Sequence, residues 1–226
     1  MAKRKNESAR TTLEEVNEQL TGAAQRIEEN KKYIYYALGA IAVVVLLVAG
    51  YIFGVRNPNM QKAKDDIAKA DMAYLQGDTT TALKEYQKVF EAYSNKPAER
   101  AAFNAAIILY QQGKNKEAAA YLEKYDPEGN MVGPASQSLL GDCYVNMKQY
   151  DKAISAFDKA VKLSGNNEFY TPTFMIKKAT VLHEQNKYAE EAAIYQEIKD
   201  KYTQYTQAYQ FNVDKYLERA NTLAGK

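Results

Sequence analysis

Apolar residues along this chain follow two patterns. Over most of its length they recur every three or four positions among charged and amide side chains, the spacing of helices with one buried side. Between Tyr33 and Val55 that spacing fails. The run YIYYALGAIAVVVLLVAGYIFGV carries no charge and is apolar or aromatic on every side. At about 1.5 Å per residue its helix would reach roughly 34 Å, enough to cross a hydrocarbon core of about 30 Å with some tilt. The pattern predicts one transmembrane helix over 33–55. Tyr33, Tyr35 and Tyr36 at one end and Tyr51 and Phe53 at the other suit the headgroup level, with Lys31, Lys32 and Arg56 just outside. A cleaved signal peptide is the competing reading. It would have a shorter apolar region and a shorter leading segment, without the six carboxylates found before Tyr33.

Basic residues set the expected orientation. Residues 1–32 hold seven Lys or Arg, and the twenty residues after Phe53 hold four (Arg56, Lys62, Lys64, Lys69). The richer side stays in the cytoplasm, which in a bacterial inner membrane places the C-terminal part in the periplasm. Within the tail, Thr12 and Glu15 have capping-box spacing, and Leu13, Val16, Leu20, Ala24 and Ile27 form a stripe of barely two heptads. Gly22 interrupts it at about 1 kcal/mol relative to alanine. A short amphipathic helix that docks a partner or the membrane surface, and a partly ordered tether, both fit this segment.

Beyond the anchor the amphipathic pattern repeats. The clearest copy is LLGDCYVNMKQYDKAISAFDKA, with Leu140, Gly141 and Tyr144 on one helix, Tyr150 after a turn, then Ala153, Phe157 and Ala160 on the next. Small residues at Gly141 and Ala153 let two antiparallel helices approach, and Leu140, Tyr144 and Phe157 fill the space around the crossing. A second copy has Ala105, Ala106, Leu109, a turn at Gly113, Ala118 and Leu122. An earlier one has Ala70, Ala73, the turn Gly77-Asp78, Ala82, Tyr86 and Val89. A fourth, with Ala179, Leu182, a turn near Asn186, Tyr188, Tyr195 and Ile198, departs from the plan. Glu191 stands where alanine is expected and Ala192 comes one residue late, so its register stays open. Taking Ala82, Ala118 and Ala153 as equivalent gives steps of 36 and 35 residues. Pro97, Pro127, Pro134 and Pro172 are expected between hairpins, where a missing donor breaks no helix. Tyr209, Val213, Tyr216, Leu217 and Ala220 share one side of a final helical stretch from Gln204 to Leu223, which suits an end cap.

Composition removes several function classes. Past Arg56 the chain carries 22 Lys plus Arg against 22 Asp plus Glu, so no basic footprint marks a nucleic-acid binder. Cys143 is the only cysteine and is expected as a small buried hydrophobe, which excludes an intramolecular disulfide. With a single histidine as well, no zinc site or Cys-His nucleophile pair is expected, and no cofactor is implied. No P-loop, dinucleotide turn or nucleophile elbow occurs. Asp65 with Asp66 and Glu190 with Glu191 read as solvated charges on helix faces. Gly50 and Gly54 have small-xxx-small spacing, which suits helix pairing but arises easily by chance at a membrane edge.

The order Leu-Gly, Tyr, turn, Ala, Phe, Ala resembles the tetratricopeptide repeat, a helical hairpin of about 34 residues. Joined to the transmembrane helix read from the apolar run and to the end cap, over 203–226, that resemblance makes the expected fold all-α, with an α-solenoid of about four hairpins over 56–202 between them. It also implies a non-catalytic array whose first helices line a surface for protein or peptide partners. The matching positions here are Tyr74, Phe103, Ile107, Tyr110, Asn146, Ile176, Thr180 and His183. The polar set with which some family members grip a C-terminal carboxylate is absent, since Ile67, Asp71, Phe103 and Ile107 stand in its places. The whole layout resembles the ancillary SecYEG translocon subunits (YfgM-like), in the form found in Bacteroidetes. That likeness implies a single-pass inner-membrane protein that serves translocation or periplasmic chaperoning, with translocon subunits, chaperones or secreted clients as partners and homo-oligomers possible. A cell-envelope or division scaffold of the CpoB type is the alternative.

Overall fold

The computed structural model describes residues 2–126 and 132–225, and leaves the side chains of 2–20 and 22–27 undescribed. The tail's apolar stripe and the expected helix break at Pro127 lie outside that description, whereas the backbone is helical on both sides of Thr12, so the expected capping box starts no helix there. Every element among the described residues is helical: α1 (Ala2–Tyr51), a π-helical turn (Ile52–Arg56), α2 (Asn57–Leu75), α3 (Thr79–Ala92), α4 (Lys96–Gln111), α5 (Asn115–Glu123), α6 (Gly133–Asn146), α7 (Tyr150–Leu163), α8 (Tyr170–Glu184), α9 (Tyr188–Lys201), α10 (Thr203–Ala208) and α11 (Val213–Leu223). The chain divides into two compact units, 1–59 and 60–226.

Among the described residues one helical stretch, within Glu28–Leu75, is long and apolar enough to cross a membrane, and its apolar run lies in the first unit. Its apolar side chains, Leu46 and Leu47 among them, are exposed rather than packed against other parts of the chain. A helix apolar on all sides and uncovered suits lipid as its solvent.

The second unit is a stack of helical hairpins, α2/α3, α4/α5, α6/α7 and α8/α9, followed by α10 and α11. Each hairpin turns on one residue with positive φ: Gly77 (80°), Gly113 (75°), Lys148 (58°) and Asn186 (58°). In all four the N–H of that residue donates to a carbonyl three residues back (Tyr74, Tyr110, Val145, His183). The next N–H donates five residues back (Ala73, Leu109, Tyr144, Leu182), closing the helix end. Five residues after each turn residue stand Ala82, Ala118, Ala153 and Glu191, whose N–H groups donate to Asp78, Lys114, Gln149 and Lys187. The fourth register is therefore fixed. Glu191, not Ala192, occupies the small-residue site, and its side chain is 0% exposed. The expectation of a solvated Glu191 is overturned, because helix geometry places that position against the preceding helix whatever residue it carries.

Alanines allow the close packing. Ala98, Ala101, Ala102, Ala105 and Ala106 of α4 are all buried; Ala101 and Ala105 share a core cluster with Ile67, Ala70 and Val89, and Ala106 shares the central one with Ala118 and Leu122. On α2 the residues one repeat earlier are Lys62, Asp65, Asp66, Lys69 and Ala70; all but the buried Ala70 are exposed or half-buried, so this end of the stack is polar. Pro97, Pro134 and Pro172 fall within the first turns of α4, α6 and α8 rather than between hairpins, where helix N–H groups need no partner. The final stretch is also not one helix. It breaks at Gln210 (φ 49°), which leaves Tyr209 exposed outside α11, while the Asn212 side chain caps α11 by accepting from Lys215 N–H.

Candidate functional site

The face formed by α2 and α4 carries a cleft of about 340 Å³ lined by Asp71, Tyr74, Leu75, Tyr86, Asn104 and Ile107. Its wall is apolar: Tyr74 and Leu75 are exposed large hydrophobics on α2, and Ile107 is half-buried on α4. Its floor is polar and already paired. The Tyr86 hydroxyl reaches across the hairpin and donates to Asp71 Oδ1 at 2.6 Å, and Arg100 Nη2 donates to Oδ2 at 2.8 Å. Burial pushes the Tyr86 phenol up, helped by its hydrogen bond to the Asp71 carboxylate and by that group's charge. With both Asp71 oxygens engaged, the cleft offers shape and apolar contact more than a free charge.

The eight residues expected on the partner-facing side all lie on the first helices of hairpins, but only Tyr74 and Ile107 meet in this cleft. Phe103 turns onto Tyr125, with ring centroids 6.2 Å apart, and Tyr110 packs against the central core. Asn146 donates to Asn115 Oδ1 at 3.0 Å. Ile176 packs at the edge of the C-terminal core, and the Thr180 hydroxyl donates back to the Ile176 carbonyl. His183 Nδ1 lies 2.8 Å from Glu191 Oε2, and its ring sits edge-on to Tyr188. Asp71, Leu75, Tyr86 and Asn104 were not singled out as site residues. Asp71 and Asn104 share the exposed side of their helices with Tyr74 and Ile107, which was the available signal; Tyr86 comes from the second helix and had none.

Two further polar pairs cross between hairpins. Lys177 of α8 pairs with Asp142 of α6, where burial outweighs the lysine and leaves the Asp142 carboxyl above the usual range. Arg219 of α11 donates to Glu191 Oε1 at 2.7 Å. Cys143 is buried and its thiol is pushed up to about 12, chiefly by desolvation, so the thiolate needed for reactivity is scarce. Among the described residues no group of three His, Cys, Asp or Glu side chains is placed to hold a metal ion.

Comparison with known proteins agrees with this geometry. The profile of a tetratricopeptide repeat-like domain matches residues 56–181. A crystal structure of MamA superposes with a TM-score of 0.53 at 18% identity, covering 73% of this chain and 92% of MamA. YrrB, described as a TPR protein with an unusual peptide-binding site, gives 0.51 at 19% identity over 70% and 84% of the two chains. PilF of Pseudomonas aeruginosa gives 0.50 at 19% identity over 80% and 88%. At such identities these likenesses establish the fold alone. No curated protein matches the sequence.

Proposed function

The chain belongs to the tetratricopeptide repeat-like domain family, a fold that serves protein–protein interaction, and from that premise we propose that it is a membrane-anchored, non-catalytic binding module. The apolar helix over 33–55 spans the inner membrane, the basic tail stays in the cytoplasm, and the stack over 56–202 with its cap over 203–226 works in the periplasm. There it assists protein translocation or chaperoning by holding a segment of a client or of a translocon partner. The observation that carries the binding reading is the α2/α4 cleft, whose apolar wall of Tyr74, Leu75 and Ile107 is open while its polar floor is internally satisfied. Such a cleft suits one bulky apolar side chain of a peptide, with aromatic contact supplying most of the binding energy. Anchoring supports it by confining the cleft near a membrane-bound partner and raising its effective concentration.

Photo-crosslinking of the full chain in its membrane, from a reactive amino acid placed at Leu75, tests this. Capture of translocating chains or translocon subunits is expected, with the yield falling about tenfold in Tyr74→Ala/Ile107→Ser, as loss of a binding hot spot requires. Capture of division or envelope-assembly proteins alone would replace it with the scaffold reading. A C-terminal reporter active only in the cytoplasm would overturn the orientation.

A further inference from the structure

We infer that α11 is a releasable end strap, fastened over α9 by a buried ionic node whose rehydration offsets part of the cost of letting it go. Departure of α11 uncovers a helix-accepting face on α9.

The strap and its bed are defined by a few contacts. α11 packs along α9, burying Val213 and Ala220, with Tyr216 stacked on Phe211 at 5.0 Å and set against Tyr195 at 5.4 Å. Two ion pairs of opposite polarity tie the helices: Lys199 with Asp214 at 2.7 Å near the start of α11, and Glu191 with Arg219 at 2.7 Å near its end. Reversed polarity at the two ends fixes register and direction, since sliding or inverting α11 would bring like charges together.

Glu191 is the unusual member. Its side chain is 0% exposed, while Arg219 is 45% exposed and His183 30%. A desolvated carboxylate recovers water when its cover leaves, and this one keeps His183 as a partner on α8, which does not move with the strap. Arg219 is half in water already and loses little. An ionic seam of this kind therefore opens at lower cost than an apolar seam of equal area. Two features let the strap move alone. The link between α10 and α11 is short and bends at Gln210 in a left-handed conformation that a glutamine rarely adopts. Beside the strap lies an open groove of about 600 Å³ lined by His183, Lys215, Glu218, Arg219, Thr222 and Leu223, so the later half of α11 is not sealed against α8. The bed left behind presents Tyr195, Ile198 and Glu191.

Hydrogen exchange on the full chain in detergent micelles tests the inference, with amides read over 213–223 and over α9. In the natural chain the α11 amides are expected to exchange through an opening that leaves α9 protected. Arg219→Ala should speed α11 about tenfold or more. The paired apolar change E191M/R219L, which keeps volume and removes the charges, should slow it by a similar factor. The inference is overturned if α11 and α9 exchange together in the natural chain, if E191M/R219L leaves α11 as fast as before, or if Arg219→Ala loosens α8 and α9 as much as α11.

Discussion

Where its two helices cross, the third hairpin sets Gly141 and Ala153 around Phe157, whereas the fourth sets Ala179 and Glu191 around Tyr195 at the same three positions. The backbone turns are alike, yet one seam is wholly apolar and the other contains a carboxylate. What differs is the company each position keeps. Glu191 has His183 eight residues before it and Arg219 28 residues after it. The corresponding neighbours of Ala153 are Val145 and Val181, both in the central core. A repeat thus fixes where a side chain points, and the neighbouring helices decide which side chains can live there.

The strongest way to break the comparison is to put the fourth hairpin's residue into the third. Ala153→Glu would bury a carboxylate among Val145, Val181 and Phe157, where valines stand in the places of His183 and Arg219. A loss of about 4–5 kcal/mol is expected, enough to unfold the central hairpins. Urea denaturation of the full chain in detergent, followed by far-ultraviolet circular dichroism, reads it directly. Were Ala153→Glu to cost under about 1 kcal/mol, the seam would be tolerating charge without partners and the comparison would collapse.

The third hairpin was readable from sequence because its packing is written in residue size: glycine and alanine mark the close approach, and phenylalanine marks the fill. The fourth was not, because a charge in the small-residue position is understood only through residues far along the chain. The same limit applied to the cleft. Tyr74 and Ile107 follow from repeat spacing, but the Tyr86–Asp71–Arg100 floor depends on a second helix reaching back and on a neighbouring repeat. Phe103 and Tyr110 keep the right spacing and still turn onto adjacent rings and core, a choice made by local space. The break at Gln210 carries no glycine or proline to announce it.

A smaller effect probes the close approach itself. A Cβ added to Gly141 would stand 2.5 Å from Phe157 Cε1, and that ring is fully buried with little room to withdraw. Gly141→Ala should cost about 2 kcal/mol through overpacking, partly offset by about 1 kcal/mol of helix propensity. Ala179 already carries that Cβ opposite Tyr195, so the penalty belongs to the third crossing alone. Pairing the change with Phe157→Leu should recover part of the loss. A neutral or stabilising Gly141→Ala would remove close approach as the reason for the glycine.

The smallest expected effect reverses sign. The third hairpin turns on Lys148 and the fourth on Asn186, both at φ 58°, where the first two hairpins use glycine. A lysine in that region pays for its Cβ, while asparagine tolerates it better, and glycine pays nothing in the native state but more in the unfolded chain. The lysine stem at this turn is exposed, so nothing packed is lost on removing it. Lys148→Gly should therefore stabilise the chain by about 0.5–1 kcal/mol, and Asn186→Gly by less. Thermal unfolding of the two single variants, compared side by side, measures the difference. Equal gains would mean that the turns are strained alike and that the third and fourth hairpins differ only in their seams; a larger gain at Lys148 locates a second difference, in the turn that closes the apolar seam.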